Sequence, residues 1–554
     1  MKVFKSMMVA ALAIAGLASC GEAPRTEVGL QVLTEAGTIE GIQDSASVVK
    51  KYLGVPFAAA PVGDLRWQAP QPTPVWDGVK ECKTFGNDPA QLKIFGDMNF
   101  RGASASEDCL YLNIWTPATY VDEGLPVLIY FNGGGLVAGS GSEPRYDGEA
   151  LANKGVIAVT ANYREGVFGF MSHPELTAEE GNNGANYGFL DQVAAIKWVK
   201  ENIANFGGDP SRINIVGESA GSFSVSVLMC SPLSKDNIAG AMLSSGSYVT
   251  PDRKCLTLKE AEEMGKKMME EKGIMSLAEA RSIPTDSLLK ILSGMNMNGL
   301  ILDNYLIKED PLTTFEAGRQ AQVPLLAGWN SMEGSPLQYL RNNAPTLDNF
   351  KAGVTGVFGD MTEEMLTAYG ITTDEDVLSQ KANDLCGDLF TGFGTWYNCE
   401  LQAKAGQPVY RYKYNHARPA VSAKMAGFSA ALAGGVKKQT EEEKKAEEAR
   451  PKPTPGAVHS ADIEYAMGNL ATNEFYQWND DDYAISDLFL SYYANFCKTG
   501  NPNGEGLPLW DTMTGAEVAP VMQIDVKSEQ KADAAVENAY KTLLKFYQNK
   551  AAAK

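Results

Sequence analysis

The sequence predicts an α/β fold with a mainly parallel central sheet flanked by helices. Five short runs rich in apolar and β-branched residues suit strands buried on both faces. Between two of them, Leu190, Val193, Ile196, Val199 and Ile203 recur at three- and four-residue spacing, which predicts one amphipathic helix. Alternating strands and helices indicate a parallel sheet, in which ligand sites form at the carboxyl ends of the strands. The predicted strands cover residues 125–131, 156–160, 213–216, 323–327 and 409–414.

The composition is that of an ordinary globular protein and excludes several classes. The 554 residues include 54 Gly and 27 Pro, without the bias of fibrous or disordered chains. The 48 Lys+Arg against 68 Asp+Glu give a net charge of −20, which would repel nucleic acid, so no nucleic-acid partner is expected. The eight Cys include no C-x-x-C pair, so the sequence gives no support for a structural zinc site.

Residues 1–19 have the layout of a secretory signal peptide. Lys2 and Lys5 precede an apolar run over residues 7–17, which is shorter than the roughly 20 residues that span a bilayer. The run ends in LASC at residues 17–20, which resembles the bacterial lipobox, where cleavage before the cysteine frees it for lipid attachment. We therefore expect an envelope protein outside the cytoplasm, bound to the membrane through a lipid anchor at Cys20. The alternative is ordinary signal cleavage with an incidental cysteine.

A low-complexity insertion is predicted near residues 420–455. Residues 420–435 are rich in Ala and Gly, residues 437–450 are charged, and residues 451–455 are rich in Pro. The charged part predicts a solvated helix or a mobile loop. A plain solvated excursion is favoured over a lid.

The strongest chemical motif is Gly217-Glu218-Ser219-Ala220-Gly221, directly after the predicted strand 213–216. Residues 222–229 can continue as a helix, which gives the strand–turn–helix setting of a nucleophile elbow. Small residues are needed beside the serine because the tight turn raises its Oγ above the sheet. The chain has no second Gly-x-Ser-x-Gly, and Ser219 is the predicted nucleophile.

A glycine-rich segment, NGGG at residues 132–135, follows the predicted strand 125–131 and suits an oxyanion hole. Its backbone amides, with the amide of Ala220, would stabilise the negative oxygen formed when a serine attacks a carbonyl. The alternative is a dinucleotide loop, because residues 133–138 fit a loose G-x-G-x-x-A pattern. The next predicted strand ends in ANYR, without an acidic residue for a ribose, so the oxyanion interpretation is favoured.

The general base must be one of three histidines. His173 precedes Ser219, whereas the hydrolase order of nucleophile, acid and base places the base last. His416 and His459 both follow the predicted strand 409–414, and position alone does not separate them. Glu333, just after strand 323–327, would orient the imidazole and stabilise its protonated form. The alternative for Glu333 is a solvated side chain in a turn.

Further segments, ordered along the chain, carry a family resemblance together with the motifs above. They are YLGVPFA (52–58), PVGDLR (61–66), SEDCLYLN (106–113), GANYGFLDQ (184–192), FGGDP (206–210), SSGS (244–247), GAVH (456–459) with EY (464–465), and KTGNPN (498–503). The chain resembles the type-B carboxylesterase and cholinesterase family of α/β-hydrolases over most of residues 28–525. The resemblance implies one α/β-hydrolase domain over residues 20–554.

The resemblance also implies a catalytic set. It places a Ser–Glu–His triad on Ser219, Glu333 and His459, and it favours His459 over His416 because the family base follows Gly-Ala-x. The donors that it implies for the oxyanion are the backbone amides of Gly134, Gly135 and Ala220.

Structural pairs follow from the same resemblance. Cys82 and Cys109 look like the first disulfide of the family, and Arg66 and Glu107 resemble its buried ion pair. Five further cysteines follow in the chain, and because their number is odd, at least one of them should be free. Their pairing stays open; they are Cys230, Cys255, Cys386, Cys399 and Cys497.

Three departures from the family pattern bear on function. The insertion of residues 420–455, directly before His459, is long for the family, and whether it covers or reshapes the entrance to the site stays open. Asn132 stands where the family usually has His or an aromatic residue. Residues 83–108 contain Phe85, Phe95 and Phe100 but no Trp, whereas choline-hydrolysing members keep a Trp there as a cation–π face. Choline esters are therefore poor candidate substrates.

The predicted function is that of a serine carboxylic ester hydrolase, acting through an acyl-enzyme on small to medium uncharged esters. No metal or cofactor is expected. The alternatives are a catalytically silent binding or adhesion module of the same family, and a lipase or thioesterase with the same machinery. The presence of all three triad residues argues against the silent module. The preferred acyl and alcohol groups and the oligomeric state stay open.

Overall fold

The computed structural model describes residues 25–94, 98–292, 299–430, 436–516 and 518–552. The predicted signal peptide, the predicted lipidation site Cys20 and Phe95 lie outside the described residues.

An eleven-stranded sheet forms the centre of the described structure. Seven consecutive strands are parallel, and antiparallel strands complete both edges, so the predicted α/β class is confirmed. In spatial order the strands are Glu529–Lys531, Val521–Ile524, Val409–Tyr414, Leu325–Asn330, Gly240–Ser244, Gly208–Glu218, Leu125–Phe131, Ile157–Ala161, Tyr111–Thr116, Lys50–Pro56 and Ile42–Gln43.

All five predicted strands belong to this sheet. The predictions 125–131 and 409–414 match to the residue, and 213–216 lies within Gly208–Glu218. The strand predicted over 156–160 is Ile157–Ala161, one residue later in the chain. The strand predicted over 323–327 is Leu325–Asn330, which begins two residues later and ends three residues later.

Short strands outside the central sheet form small separate ladders. One three-stranded ladder lies near the amino terminus, and the others are strand pairs. Their bounds are Gln31–Leu33, Thr38–Glu40 and Val79–Glu81, then Asp88–Pro89 with Ala105–Ser106, Leu256–Thr257 with Ile301–Leu302, and Phe428–Ala430 with Val436–Lys438.

Helices pack on both faces of the sheet. The predicted amphipathic helix is Tyr187–Asn202, and its chain continues into a 3-10 turn that ends at Gly207, where φ is 83°. None of the described helices is both long and apolar enough to cross a membrane. The described α-helices are Glu149–Asn153, Gly166–Phe170, Pro174–Thr177, Tyr187–Asn202, Ala220–Cys230, Leu258–Glu271, Leu277–Ser282, Thr285–Ile291, Pro311–Glu316, Leu337–Leu340, Leu347–Phe358, Thr362–Ala368, Gln380–Gly387, Phe393–Lys404, Glu441–Ala449, Ile463–Ala466, Asp480–Thr499 and Ala534–Ala552.

The charged part of the insertion forms a solvated helix rather than a loop. Helix Glu441–Ala449 begins with a capping box, in which the Thr440 side chain accepts from the Glu443 amide and the Glu443 side chain accepts from the Thr440 amide. None of its residues is buried. The helix is therefore stabilised by its cap and by ion pairs on its own surface such as Glu441–Lys444, not by a core face.

The ion pair implied by the resemblance is present. The Arg66 guanidinium donates to both carboxylate oxygens of Glu107, at 2.7 and 2.6 Å, and Arg66 also donates to the carbonyl oxygen of Ala280 at 3.0 Å. Both charged side chains are about 95% buried. Burial of either charge alone would be unfavourable, and the attraction between the two offsets the loss of their hydration.

The disulfide predicted between Cys82 and Cys109 is absent from the structure. All seven described cysteines are free thiols, and Cys82 and Cys109 are both buried. The Sγ of Cys82 lies 3.9 Å from the carbonyl oxygen of Gly54, and burial raises the pKa of both thiols above the usual value. In this fold the two cysteines pack as small apolar side chains of the main core.

Candidate active site

Ser219 occupies a strained turn between strand Gly208–Glu218 and helix Ala220–Cys230. Its φ of 52° and ψ of −121° lie in a region that side-chain-bearing residues rarely adopt. A Cβ on Gly217 would lie 2.2 Å from the carbonyl carbon of Gly221, and a Cβ on Gly221 would lie 2.1 Å from the carbonyl oxygen of Phe131. Both glycines of the motif are therefore required by close backbone contacts, and the turn is a nucleophile elbow.

Ser219, His459 and Glu333 form a continuous hydrogen-bonded chain. His459 Nε2 lies 2.9 Å from Ser219 Oγ, and His459 Nδ1 lies 2.5 Å from Glu333 Oε2. Glu333 Oε1 accepts from the backbone N–H of Asn330 at 2.7 Å and from the hydroxyl of Ser245. With the Nδ1 proton directed at Glu333, Nε2 is left to accept the serine proton.

Two loops that follow neighbouring strands place the glutamate and the histidine together. The backbone N–H of Met332 donates to the carbonyl oxygen of Ala457 at 2.8 Å, and the N–H of Ala457 donates to Ser331 Oγ at 3.0 Å. These bonds join the turn after strand Leu325–Asn330 to the segment before His459. Glu333 and His459 are thus aligned by backbone contacts as well as by their own bond.

Two further carboxyl groups surround the imidazole. Glu218 Oε1 lies 3.4 Å from His459 Nε2 and accepts from the hydroxyl of Ser460 at 2.7 Å. Asp462 accepts from Asn330 Nδ2 at 3.0 Å and from the hydroxyl of Ser244. The imidazole of His459 therefore lies among buried carboxyl groups.

These carboxylates control the protonation of the site. Burial lowers the pKa of His459, but Glu218 and Glu333 outweigh that effect and raise the pKa to about 9. Burial raises the pKa of Glu218 to about 7, although the neighbouring His459 opposes the change. Because Glu218 and His459 interact closely, their titrations are coupled.

The glycine loop after strand Leu125–Phe131 packs against the elbow. A Cβ on Gly133 would lie 2.6 Å from the carbonyl oxygen of Glu218 and 3.0 Å from the Cβ of Ser219. Gly134 has a φ of 118°, and a Cβ there would lie 1.7 Å from the carbonyl oxygen of Ala138. The loop can thus approach Ser219 only with glycine at these positions, and it brings Gly134 and Gly135 to the same end of the sheet as Ala220.

A cavity of about 420 Å³ adjoins this loop. The Cε of Met98 lies 3.1 Å from where a Cβ of Gly134 would be. On the other side of the site, the ring of Phe390 meets the ring of His459 edge-on, with 5.1 Å between centroids. The apolar side chains lining the cavity are Leu92, Ile94, Met98, Phe100, Ala105 and Ala138.

The other two histidines lie elsewhere and have other contacts. His416 Nε2 is 2.8 Å from Asp482 Oδ1, and its Nδ1 is 3.3 Å from Asp525 Oδ1. His173 caps a short helix, where its Nδ1 accepts from the backbone N–H of Glu175 at 3.2 Å. Of the two histidines that chain order leaves open, the one beside Ser219 is therefore His459.

Several contributors were not predicted from the sequence. Glu218 lies inside the nucleophile motif, yet nothing in the motif indicates that its carboxylate reaches the imidazole. Ser245, with a φ of 60°, and Asp462 give no local signal of their contacts. In the described parts of the chain, no group of three or more His, Cys, Asp or Glu residues is placed to hold a metal ion.

Comparisons with known proteins agree with this architecture. The model of the carboxylesterase family matches residues 29–543. A fumonisin B1 esterase of Sphingopyxis macrogoltabida is 38% identical over 387 residues, 69% of this chain and 70% of that protein. Liver carboxylesterase 1 of Oryctolagus cuniculus is 31% identical over 554 residues, covering 91% of each chain. The solved structure of a Geobacillus stearothermophilus carboxylesterase has a TM-score of 0.75 and 29% identity, covering 92% of this chain and 100% of that one.

The fold and its structural neighbours define an α/β-hydrolase. The chain belongs to the carboxylesterase family and is a carboxylic ester hydrolase.

Proposed function

We propose that the protein hydrolyses carboxylic esters through a Ser219–His459–Glu333 triad and an acyl-enzyme. The observation that carries this proposal is the pair of imidazole contacts, 2.9 Å to Ser219 Oγ and 2.5 Å to Glu333 Oε2. They give a nucleophile and a base within hydrogen-bond reach, with a carboxylate that orients the base.

The reaction proceeds in two halves. His459 Nε2 takes the Ser219 proton as Oγ attacks the ester carbonyl, and the amides of Gly134, Gly135 and Ala220 donate to the resulting oxyanion. His459 then gives the proton to the alcohol oxygen as the carbon–oxygen bond breaks, which leaves the acyl group on Ser219. In the second half, His459 Nε2 takes a proton from water as the water oxygen attacks the acyl carbonyl carbon. His459 then returns that proton to Ser219 Oγ as the bond between the acyl carbon and Oγ breaks, which releases the acid.

The favoured substrates are small to medium uncharged esters. The cavity of about 420 Å³ beside the glycine loop is lined by both apolar and polar side chains, among them Asp88 and Lys93, and its apolar part suits an acyl or alkyl group. Its aromatic side chain is Phe100, and the segment 83–108 has no Trp to bind a quaternary ammonium. A panel of nitrophenyl and thioester substrates of increasing chain length separates an esterase from a lipase or a thioesterase.

The triad is tested with Ser219→Ala and His459→Ala. Both should lower hydrolysis of nitrophenyl butyrate by at least about 10³-fold, since removal of a triad member has an effect of this order or greater. Circular dichroism checks that the variants fold. A fluorophosphonate should label the wild type and not Ser219→Ala. Turnover that survives in both folded variants contradicts the mechanism, whereas a wild type without turnover or label favours the silent binding module.

We also propose that residues 20–554 form the mature protein, one α/β-hydrolase domain anchored in the bacterial envelope by lipid on Cys20. The basic start, the apolar run and LASC at residues 17–20 support the anchor. The single large sheet, with strands drawn from residues 42–531, supports one domain. Cys20→Ser should move the protein from the membrane to the soluble fraction on centrifugation. An unchanged distribution would contradict lipidation.

A further inference from the structure

Asn132 and Glu165 contact each other at the base of the glycine loop, residues 133–139. Asn132 Nδ2 donates to Glu165 Oε1 at 3.1 Å and to the carbonyl oxygen of Gly133 at 3.0 Å. Asn132 is 1% exposed and Glu165 is fully buried. Asn132 is also the residue at which the loop departs from the family pattern. The contact with Glu165 therefore depends on the residue that replaces the usual His or aromatic side chain.

The segment that carries Glu165 is tied to the loop at two more points. The N–H of Gly166 donates to the carbonyl oxygen of Leu136 at 2.7 Å, and the hydroxyl of Tyr163 donates to the carbonyl oxygen of Asn132 at 2.9 Å. The other side of the loop rests on the backbone of the elbow, as the close approach of Gly133 to Glu218 shows. Movement of Asn132 would therefore move Gly134 and Gly135 relative to Ser219.

If Glu165 is ionised, the contact between Asn132 and Glu165 contains more hydrogen-bond acceptors than donors. Asn132 Oδ1 and Glu165 Oε2 are both buried acceptors without a hydrogen-bond partner. Within the described chain, the carboxyl of Glu165 interacts with Asn132 and Tyr163, and no positively charged side chain pairs with it. An unpaired buried carboxylate is strongly unfavourable, whereas a proton on one carboxyl oxygen removes the charge and supplies a donor.

The surroundings of Glu165 agree with an uncharged acid. Burial raises the pKa of Glu165 well above its usual value. The titratable neighbours Tyr163 and Cys109 have pKa values raised by burial and are also neutral. The adjacent guanidinium of Arg164 is committed to Asp191, to which it donates at 2.8 and 2.7 Å.

We propose that Glu165 is a positioning residue that acts as a neutral carboxylic acid, paired with the amide of Asn132, to hold the glycine loop in place for oxyanion stabilisation. The inference rests on the proposed Ser219 mechanism. The pair touches neither substrate nor the reacting atoms. Its loss displaces the oxyanion donors, so it lowers kcat and leaves KM unchanged.

An exchange of acid and amide tests the pair. Asn132→Asp alone places two carboxyls in contact with one proton to share, and the second ionises as the pH rises. We expect kcat to fall by about tenfold or more above pH 7. This is less than the effect of removing one oxyanion donor outright, because the donors are displaced and not lost. Glu165→Gln alone keeps a neutral side chain with an acceptor, and kcat should stay within about threefold of the wild type. Combining the two substitutions restores one acid and one amide, and kcat should recover.

Two measurements separate positioning from a general structural effect. A trifluoromethyl ketone forms an oxyanion on Ser219, so its inhibition constant should rise by the same factor by which kcat falls. The matched control is Asn383→Asp, which places a carboxyl at another fully buried asparagine, whose Nδ2 donates to the carbonyl oxygen of Thr454. The control should lower thermal stability and leave kcat unchanged.

The outcomes distinguish the pair from the proposed function. If Asn132→Asp keeps wild-type kcat from pH 6 to 9, or if the double variant is no more active than Asn132→Asp, the pair is contradicted. If Asn132→Asp does not fold, Glu165→Leu takes its place, because leucine has no acceptor for Asn132 Nδ2. Equal kcat in Glu165→Leu and Glu165→Gln would then contradict the pair. A wild type with no more turnover than Ser219→Ala contradicts the proposed function instead.

Discussion

Replacing Glu218 by Gln should shift the acid limb of the pH profile to lower pH. The carboxylate lies 3.4 Å from His459 Nε2 and helps to raise the pKa of that imidazole to about 9. At this distance the attraction is about 5 kcal/mol for an effective dielectric of about 20 and about 1 kcal/mol in a water-like medium. These two energies correspond to pKa shifts of about 4 units and about 1 unit. Glu218→Gln removes the negative charge, so His459 stays neutral and active as a base at lower pH.

The assay is kcat/KM for nitrophenyl butyrate from about pH 5 to about 10.5, corrected for spontaneous hydrolysis, so that the range extends beyond the pKa of about 9. This parameter reports ionisations of the free enzyme. Glu474→Gln is the matched control, because its side chain is 68% exposed, and it should leave the profile unchanged. The apparent wild-type values belong to the coupled Glu218–His459 pair, so the comparison uses the midpoint of the limb rather than an assignment to one group. An unchanged midpoint, or a shift to higher pH, would refute the electrostatic account.

Three further predictions concern stability. Gly221→Ala places a Cβ 2.1 Å from a backbone carbonyl oxygen and should destabilise the fold by about 3 kcal/mol or more in urea unfolding. The control Gly356→Ala, at an exposed position of helix Leu347–Phe358 with open space around it, should be neutral or stabilising by up to about 1 kcal/mol. Equal effects of the two alanines would contradict the steric argument. Glu107→Gln leaves the buried Arg66 charge unpaired and should cost about 3–5 kcal/mol, and a loss below 1 kcal/mol would show that the pair is not critical. Burial raises the pKa of Asp388 to about 7. The fold therefore favours the neutral carboxyl, and the stability that this group contributes is fully present below about pH 4 and is lost as pH rises through 7. Over that range the free energy of unfolding of Asp388→Asn should rise by up to about 4 kcal/mol relative to the wild type, and a difference independent of pH would contradict this assignment.

The residues of the proposed triad could be selected from the sequence because their signals are local or because alternatives were few. Ser219 lies in a motif whose glycines are required by contacts within the elbow and with the end of the neighbouring strand Leu125–Phe131. His459 and Glu333 follow strands whose apolar runs are visible in the sequence, and the family resemblance chose His459 where chain order did not. The positions of five sheet strands also followed from local patterns, whereas the full length of strand Gly208–Glu218, predicted only over 213–216, did not.

The sequence did not predict the contacts that depend on residues far apart in the chain. Glu165 looks like an ordinary charged residue, and only its burial beside Asn132 indicates that it is neutral. The role of Glu218 depends on a histidine 241 positions away in the printed sequence. For Cys82 and Cys109 the resemblance predicted a contact that the structure lacks, because the two thiols are free.

The bond between Ser219 and His459 spans 240 positions of sequence, and the bond between His459 and Glu333 spans 126. During synthesis the nucleophile therefore emerges long before its base. A chain that ends before residue 459 carries a complete elbow motif but has no means of accepting the serine proton. Reactivity toward a fluorophosphonate thus reports that almost the whole chain has been made and that the distant strands of the sheet have come together.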